Sequence, residues 1–284
     1  MFAQKNFEIF KQKTKNMKIK MSKLSSYHIM IISKYFKTIK DLINLELVCK
    51  KFSGHMEKFH FNPIPLNSKT LGYFPNIETL HLWNEKDENF GNGFMINKRE
   101  NRKNKNEKEV VFEKEFFRII IWFNVDFETV DRNKSRNLEF KNVTYTKNDR
   151  KKFGNNIPLS VTSIGDKCFN ECGKLNSVTI PTSVRSIGNW CFNGCRSLSS
   201  VTIPSSVTSI GDNCFGGCGS LTIINIPLSV KSIGEGCFRW CDSLNSITIP
   251  SSVKSIGDNC FFRCSKLSSC SKQCYNTTKR EINW

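Results

Sequence analysis

From residue 157 to residue 271 the hydrophobic positions of this chain recur with a period of 23, with no insertion or deletion. The copies read IPLSVTSIGDKCFNECGKLNSVT from 157, IPTSVRSIGNWCFNGCRSLSSVT from 180, IPSSVTSIGDNCFGGCGSLTIIN from 203, IPLSVKSIGEGCFRWCDSLNSIT from 226 and IPSSVKSIGDNCFFRCSKLSSCS from 249. Five in-register copies predict a solenoid in which each copy is one coil. Within LNSVTIP, Leu175, Val178 and Ile180 face one way and Ser177 and Thr179 the other, which predicts a short strand with one buried face. Pro181 ends it, having no N–H for the ladder. Val184 and Ile187 form a second inward pair, and Gly188 allows a tight bend. Asn189, which is Asp at 166, 212 and 258, is expected to cap a short helix carrying Cys191, Phe192 and Cys195 on one stripe. One coil cannot bury its apolar side chains alone. Stacking does so, at roughly 1.5–3 kcal/mol for each large one.

The flanks are less regular. Residues 1–23 form a basic tail, and 24–61 read as two or three helices. There Thr38 and Asp41 make a capping signal, Leu42, Leu45, Val48 and Phe52 recur at helical spacing, and Ser53-Gly54 stops the run. Such a stripe needs cover, either from the open end of the solenoid or from a partner. Residues 62–156 are an irregular lead-in. FPNIETLHLW (74–83) resembles a divergent strand through Ile77, Leu80 and Leu82, and LEFKNVTYT (138–146) is expected to pair beside the array. Between them, the polar stretch 84–109 reads as a long mobile loop. Cys270 and Lys272 break the pattern, so the array ends near 271 and 272–284 is a polar cap or tail.

The paired cysteines could bind metal, cross-link, do redox work or fill a core. Positions i and i+4 of a helix suit a disulfide poorly, and parallel side chains in successive coils do not converge as one requires. Two thiols could reach one zinc ion, but all four histidines precede position 82 and no repeat holds a four-ligand cluster. Strict periodicity at two core columns favours reduced, metal-free thiols acting as small apolar fillers.

At these residues the sequence resembles the BspA-type leucine-rich repeats, whose pattern I-P-x-S-V-x-S-I-G-x-x-C/A-F-x-x-C-x-x-L runs through 157–271. In this chain Cys fills the first of the two columns in every copy. The resemblance implies a leucine-rich-repeat solenoid, α/β in class, with short parallel strands and short helices after a small N-terminal helical segment. It also implies a non-enzymatic protein, and surface adhesins occur in the family. Separately, LINLELVCKKF (42–52) resembles the second half of an F-box, although Leu24 is followed by Ser25 rather than proline. That resemblance implies a cullin-ligase adaptor as partner and a substrate receptor as function.

Charge refines the picture. The chain carries a formal +18, about half of it from residues 1–61, which hold 13 lysines against 4 acids. Residues 157–271 hold only 9 basic against 6 acidic residues, so the repeats are not built for nucleic acid. KRENRKNK (98–105) has interspersed acid and reads as a solvated run. No run of 18 apolar residues predicts a membrane span, and the first residues lack a signal-peptide core, which points to the cytoplasm, with the cell surface as the alternative. No phosphate-cradling loop or Ser/His/acid grouping stands outside the repeat pattern, so no enzyme and no cofactor are expected.

The leading expectation is therefore a protein-binding scaffold. Its specificity should lie where the copies disagree on outward positions. Those are Trp190, Trp240, Phe262 and Ile223, with a basic column of Arg185, Lys231 and Lys254. Leu42, Leu45, Val48 and Phe52 are the candidates for either a cap or an adaptor contact.

Overall fold

The computed structural model describes residues 35–48, 53–93 and 113–268. The basic tail 1–23, residues 24–34, Phe52, the charged run 98–105 and the tail 272–284 lie outside them. The chain forms two compact units, one of residues 1–92 with 110–119 and one of 93–109 with 120–284.

In the first unit, helix α1 (Ile39–Val48) starts at the expected capping box. The Thr38 N–H donates to the Asp41 carboxylate, and the Asp41 N–H donates back to the Thr38 hydroxyl. Leu42 is fully buried, and Glu46 accepts the Met56 N–H at 2.8 Å, tying the helix to the turn after it. Gly54, beyond the end of α1, lies at φ +67°. Strand β1 (Thr79–Leu82) alternates as its sequence predicts, with Ile77, Leu80 and Leu82 buried. Buried Asn62 is fully engaged: its amide donates to the carbonyls of Ile64 and His81, and its oxygen accepts the His81 N–H. The polar stretch after β1 is loop in its described part, but Phe90 anchors it, being 1% exposed and packed on Phe116 with ring centroids 5.8 Å apart.

The second unit opens with most of β2 (Arg118–Asp126), then α2 (Phe127–Arg132), β3 (Leu138–Tyr145) and α3 (Lys147–Phe153). Asp149, 1% exposed, joins the two helix starts. Its carboxylate accepts from the Thr146 N–H and hydroxyl and from the N–H groups of Phe127 and Glu128. As expected, β3 pairs in parallel with the array, Tyr145 opposite Ile164.

Each coil then adds to two parallel ladders. The longer one uses the Ser-Ile pairs: β4 (Ser163–Ile164), β5 (Ser186–Ile187), β7 (Ser209–Ile210), β9 (Ser232–Ile233) and β11 (Ser255–Ile256). The shorter one uses the predicted strand segment: β6 (Ser200–Thr202), β8 (Ile223–Asn225) and β10 (Ser246–Thr248). The expected strand is thus the smaller sheet, and the Ser-Ile pair, read only as an inward corner, carries the larger one. The corner glycine also has a different role from the one expected. A Cβ on Gly188 would lie 2.5 Å from Asp166 Oδ1 and 2.6 Å from its backbone nitrogen, so glycine is required by the close approach of the preceding coil. Among the described residues no helix is long and apolar enough to cross a membrane.

Candidate binding face

The segment G-x-x-C-F-x-x-C forms the third side of each coil, and it is not the expected helix but a string of turns. Its φ is positive at Lys167, Trp190, Asn213, Gly236 and Asn259, and again four residues later at Glu171, Gly194, Gly217, Trp240 and Arg263. Two left-handed residues so close cannot belong to a right-handed helix. The backbone gains something in exchange. The N–H groups of Lys167, Phe169 and Glu171 donate to the carbonyls of Asn189, Cys191 and Asn193 in the next coil. The intervening N–H groups of Cys168, Asn170 and Cys172 close local turns. Beyond its first turn a helix would turn its N–H groups to carbonyls of its own coil, whereas this string forms a third coil-to-coil ladder. The expected N-cap role fails with the helix. Asp166 Oδ1 instead accepts the Asn189 N–H at 2.7 Å, Asn189 Oδ1 the Asp212 N–H at 2.8 Å, and Asp212 Oδ1 the Glu235 N–H at 2.9 Å.

Inward from this string, Phe169, Phe192, Phe215, Phe238 and Phe261 form one stack with centroids 5.0–5.7 Å apart and planes within 16° of parallel. Arg150 closes its first end, with the guanidinium 5.7 Å from the Phe169 centroid and Nε donating to the Cys168 carbonyl. The ten cysteines of the described residues are free thiols, all buried except half-buried Cys172. Those of the second column are more than filler. Cys195, Cys218, Cys241 and Cys264 direct Sγ to the carbonyl of the Phe in the preceding coil at 3.0–3.2 Å. Burial pushes the thiols up, Cys168 and Cys195 to about 12 and Cys191 and Cys214 well above the ordinary value, so the nucleophilic thiolate is suppressed.

Outward, the string presents side chains in columns, one residue per coil. The column through Trp240 reads Glu171, Gly194, Gly217, Trp240, Arg263, and its neighbour reads Asn170, Asn193, Gly216, Arg239, Phe262. Glycine at 194 and 217 removes the side chains from the middle coils and leaves a depression of about 960 Å³, walled by Glu171 on one side and Trp240 on the other, with Gly216 beneath the Asn193 and Arg239 side chains. Trp190 and Arg196 also border it, as do Arg239 and Asp242. Trp190 and Trp240, 38% and 45% exposed, therefore flank one feature. The Arg239 guanidinium lies 4.9 Å from the Trp240 ring centroid, and Arg263 lies 5.5 Å from that of Phe262.

The other candidates are dispersed. Phe262 is held to this face through its carbonyl, which accepts the Trp240 N–H, but it does not line the depression. Ile223, 49% exposed, belongs to the shorter sheet, and exposed Arg185, Lys231 and Lys254 lead into the longer one. In the first unit Leu42 is buried and Leu45 half-buried. Val48 ends α1 with its side chain outside the described residues, as is all of Phe52. Sequence reading missed the glycines and the Arg196, Arg239, Glu171 and Asp242 rim. The one available signal was the unusual FGGC of the third copy.

Comparison with known proteins identifies the repeats. The family described as "BspA type Leucine rich repeat region (6 copies)" matches residues 138–279, so its first copy takes in β3. No curated protein matches the chain. Among solved structures, a leucine-rich repeat protein from Bacteroides ovatus is 41% identical over 39% of this chain and 31% of its own, with a TM-score of 0.38. The T. pallidum leucine-rich repeat protein is 37% identical over 38% of this chain and 50% of its own, with a TM-score of 0.37. A leucine-rich cell surface protein from Faecalibacterium prausnitzii is 26% identical over 51% and 41%, with a TM-score of 0.32. The chain thus spans at most half the length of these three proteins.

Proposed function

This chain belongs to the BspA-type leucine-rich repeat family, and from that premise we propose that it is a non-enzymatic scaffold that binds a protein partner through its turn-string face. The observation that carries this reading is the placement of Trp190 and Trp240 around one depression, on backbone held by coil-to-coil hydrogen bonds. Aromatic anchors on a rigid backbone lose little freedom on binding, and removing one such anchor commonly costs about 2 kcal/mol or more. Most other outward positions are Ser, Thr, Asn or Gly, which suit solubility, and the buried thiols are held in their unreactive form.

The test is an alanine series in the full-length chain, with the partner recovered by affinity purification from the protein's own cells. Trp190→Ala, Trp240→Ala or Phe262→Ala should weaken capture about tenfold with the melting temperature unchanged. Capture that survives all three truncations would place the partner elsewhere and overturn the assignment. The free thiols suit a reducing compartment, so we assign the protein to the cytoplasm. Labelling of the protein on intact cells would move it to the cell surface. For residues 39–48 we propose a packing role, because Leu42 is fully buried.

A further inference from the structure

We propose that the depression between Glu171 and Trp240 is a carbohydrate site, shaped for a neutral pyranose ring within a short oligosaccharide. The inference rests on the scaffold reading in using the same face, and it narrows the recognised chemistry to a glycan. Glu171 and Trp240 stand three coils apart in one column, roughly 14 Å at the usual spacing of parallel strands. Between them the wall drops to backbone at Gly194 and Gly217, so a flat ligand can lie against the chain itself.

The rim then supplies what a sugar requires. Trp190 and Trp240 offer indole surface to the C–H face of a ring. Arg196 and Arg239 donate and Glu171 and Asp242 accept, which matches hydroxyls that do both. The formal charges of these four cancel, so the site favours a neutral ligand over a polyanion. The guanidinium of Arg239 resting on Trp240 at 4.9 Å fixes wall and donor together before binding. An extended peptide finds less here. The N–H groups of Trp190, Gly194, Gly217 and Trp240 already donate to the next coil, so no strand edge is offered on this side.

Full-length protein should be titrated with cellotriose, maltotriose and tri-N-acetylchitotriose, read by indole fluorescence and calorimetry. At least one should bind, and Trp240→Ala should weaken it about tenfold. Gly217→Arg should abolish binding by filling the slot. A Cβ at 217 meets only Gly194 backbone at 3.7 Å, and although φ +69° strains any side chain there, Glu171, Trp240 and Arg263 hold the same left-handed φ in this column, so an unchanged melting temperature is part of the test. No binding by any of the three, or binding indifferent to both variants, overturns the proposal. Partner capture that depends on Trp240 but survives enzymatic removal of the partner's glycans overturns the glycan assignment and leaves the scaffold reading standing. Capture indifferent to Trp190, Trp240 and Phe262 removes the scaffold reading, whereas sugar binding lost in Gly217→Arg would stand by itself.

Discussion

Phenylalanine does different work in the two units. In the array five rings lie within 16° of parallel, because each coil is a translated copy of the last and a repeated side chain keeps its orientation. In the first unit Phe59 meets Phe74 at 73°, Phe61 at 89° and the His55 ring at 79°, all edge-on. Edge-on contact places a ring's positive edge against a neighbour's negative face, an arrangement that simple repetition cannot produce. Translation instead gives every coil the same neighbours, so stability accumulates coil by coil. In the first unit each contact occurs once.

The largest expected effect breaks this comparison directly. Phe215→Ala and Phe59→Ala should each cost about 3–5 kcal/mol, since both rings are fully buried. The losses should spread differently. Hydrogen exchange in Phe215→Ala should rise most in the coils around residues 192–238 and less toward Phe169. In Phe59→Ala it should rise throughout the described part of residues 53–92. Uniform loosening of the array from the Phe215 change would contradict the coil-by-coil account.

A smaller effect sharpens the role of α1. Leu45→Asp places a charge at a half-buried site and should cost about 1–3 kcal/mol, lowering melting of the first unit by several degrees. Unchanged melting together with lost capture of a cullin adaptor would reverse the packing assignment in favour of an adaptor-binding helix.

A final effect is a difference of sign with pH. The Cys195, Cys260 and Cys264 thiols stand raised by burial from 9.0 to about 12, 12 and 11. Their contribution is fully present below about pH 9 and is lost as pH rises through 11–12. His55 runs the other way. It is 1% exposed, Nε2 has no hydrogen-bond partner among the described residues, and burial with Lys58 nearby lowers its pKa below 6.5, only partly opposed by Glu46. The unfolded chain therefore takes up the proton first, and the first unit should weaken as pH falls below about 6.5. Circular dichroism melts from pH 5 to 11 should show acid loss in the first unit and alkaline loss in the array. His55→Phe should remove only the acid limb. In parallel, native protein should show its buried thiols to a thiol reagent only after unfolding.

Much of the array was legible because its evidence is repeated. Val184, Ile187, Cys191 and Phe192 were assigned inward from the pattern, and all four are at most 2% exposed. The first unit was legible where a local signal is self-contained, as in the Thr38–Asp41 box and the alternation through β1. It was not legible at Phe90, a lone apolar residue in a polar stretch, and the second unit was not legible at Asp149, whose second set of donors comes from Phe127 and Glu128. Both depend on partners about twenty or more residues away.

By itself the sequence determined the period, the inward columns and the parallel, in-register stacking, because a side chain repeated every 23 residues must find the same surroundings in every coil. Tertiary structure alone decided the backbone of the G-x-x-C-F-x-x-C side. A helix and a string of turns bury the same Cys and Phe columns, and the choice falls to N–H groups whose acceptors lie in the next coil. It also decided the depression. Gly194 and Gly217 are separate small residues along the chain, and they become a gap only when stacked coils set them side by side between Glu171 and Trp240.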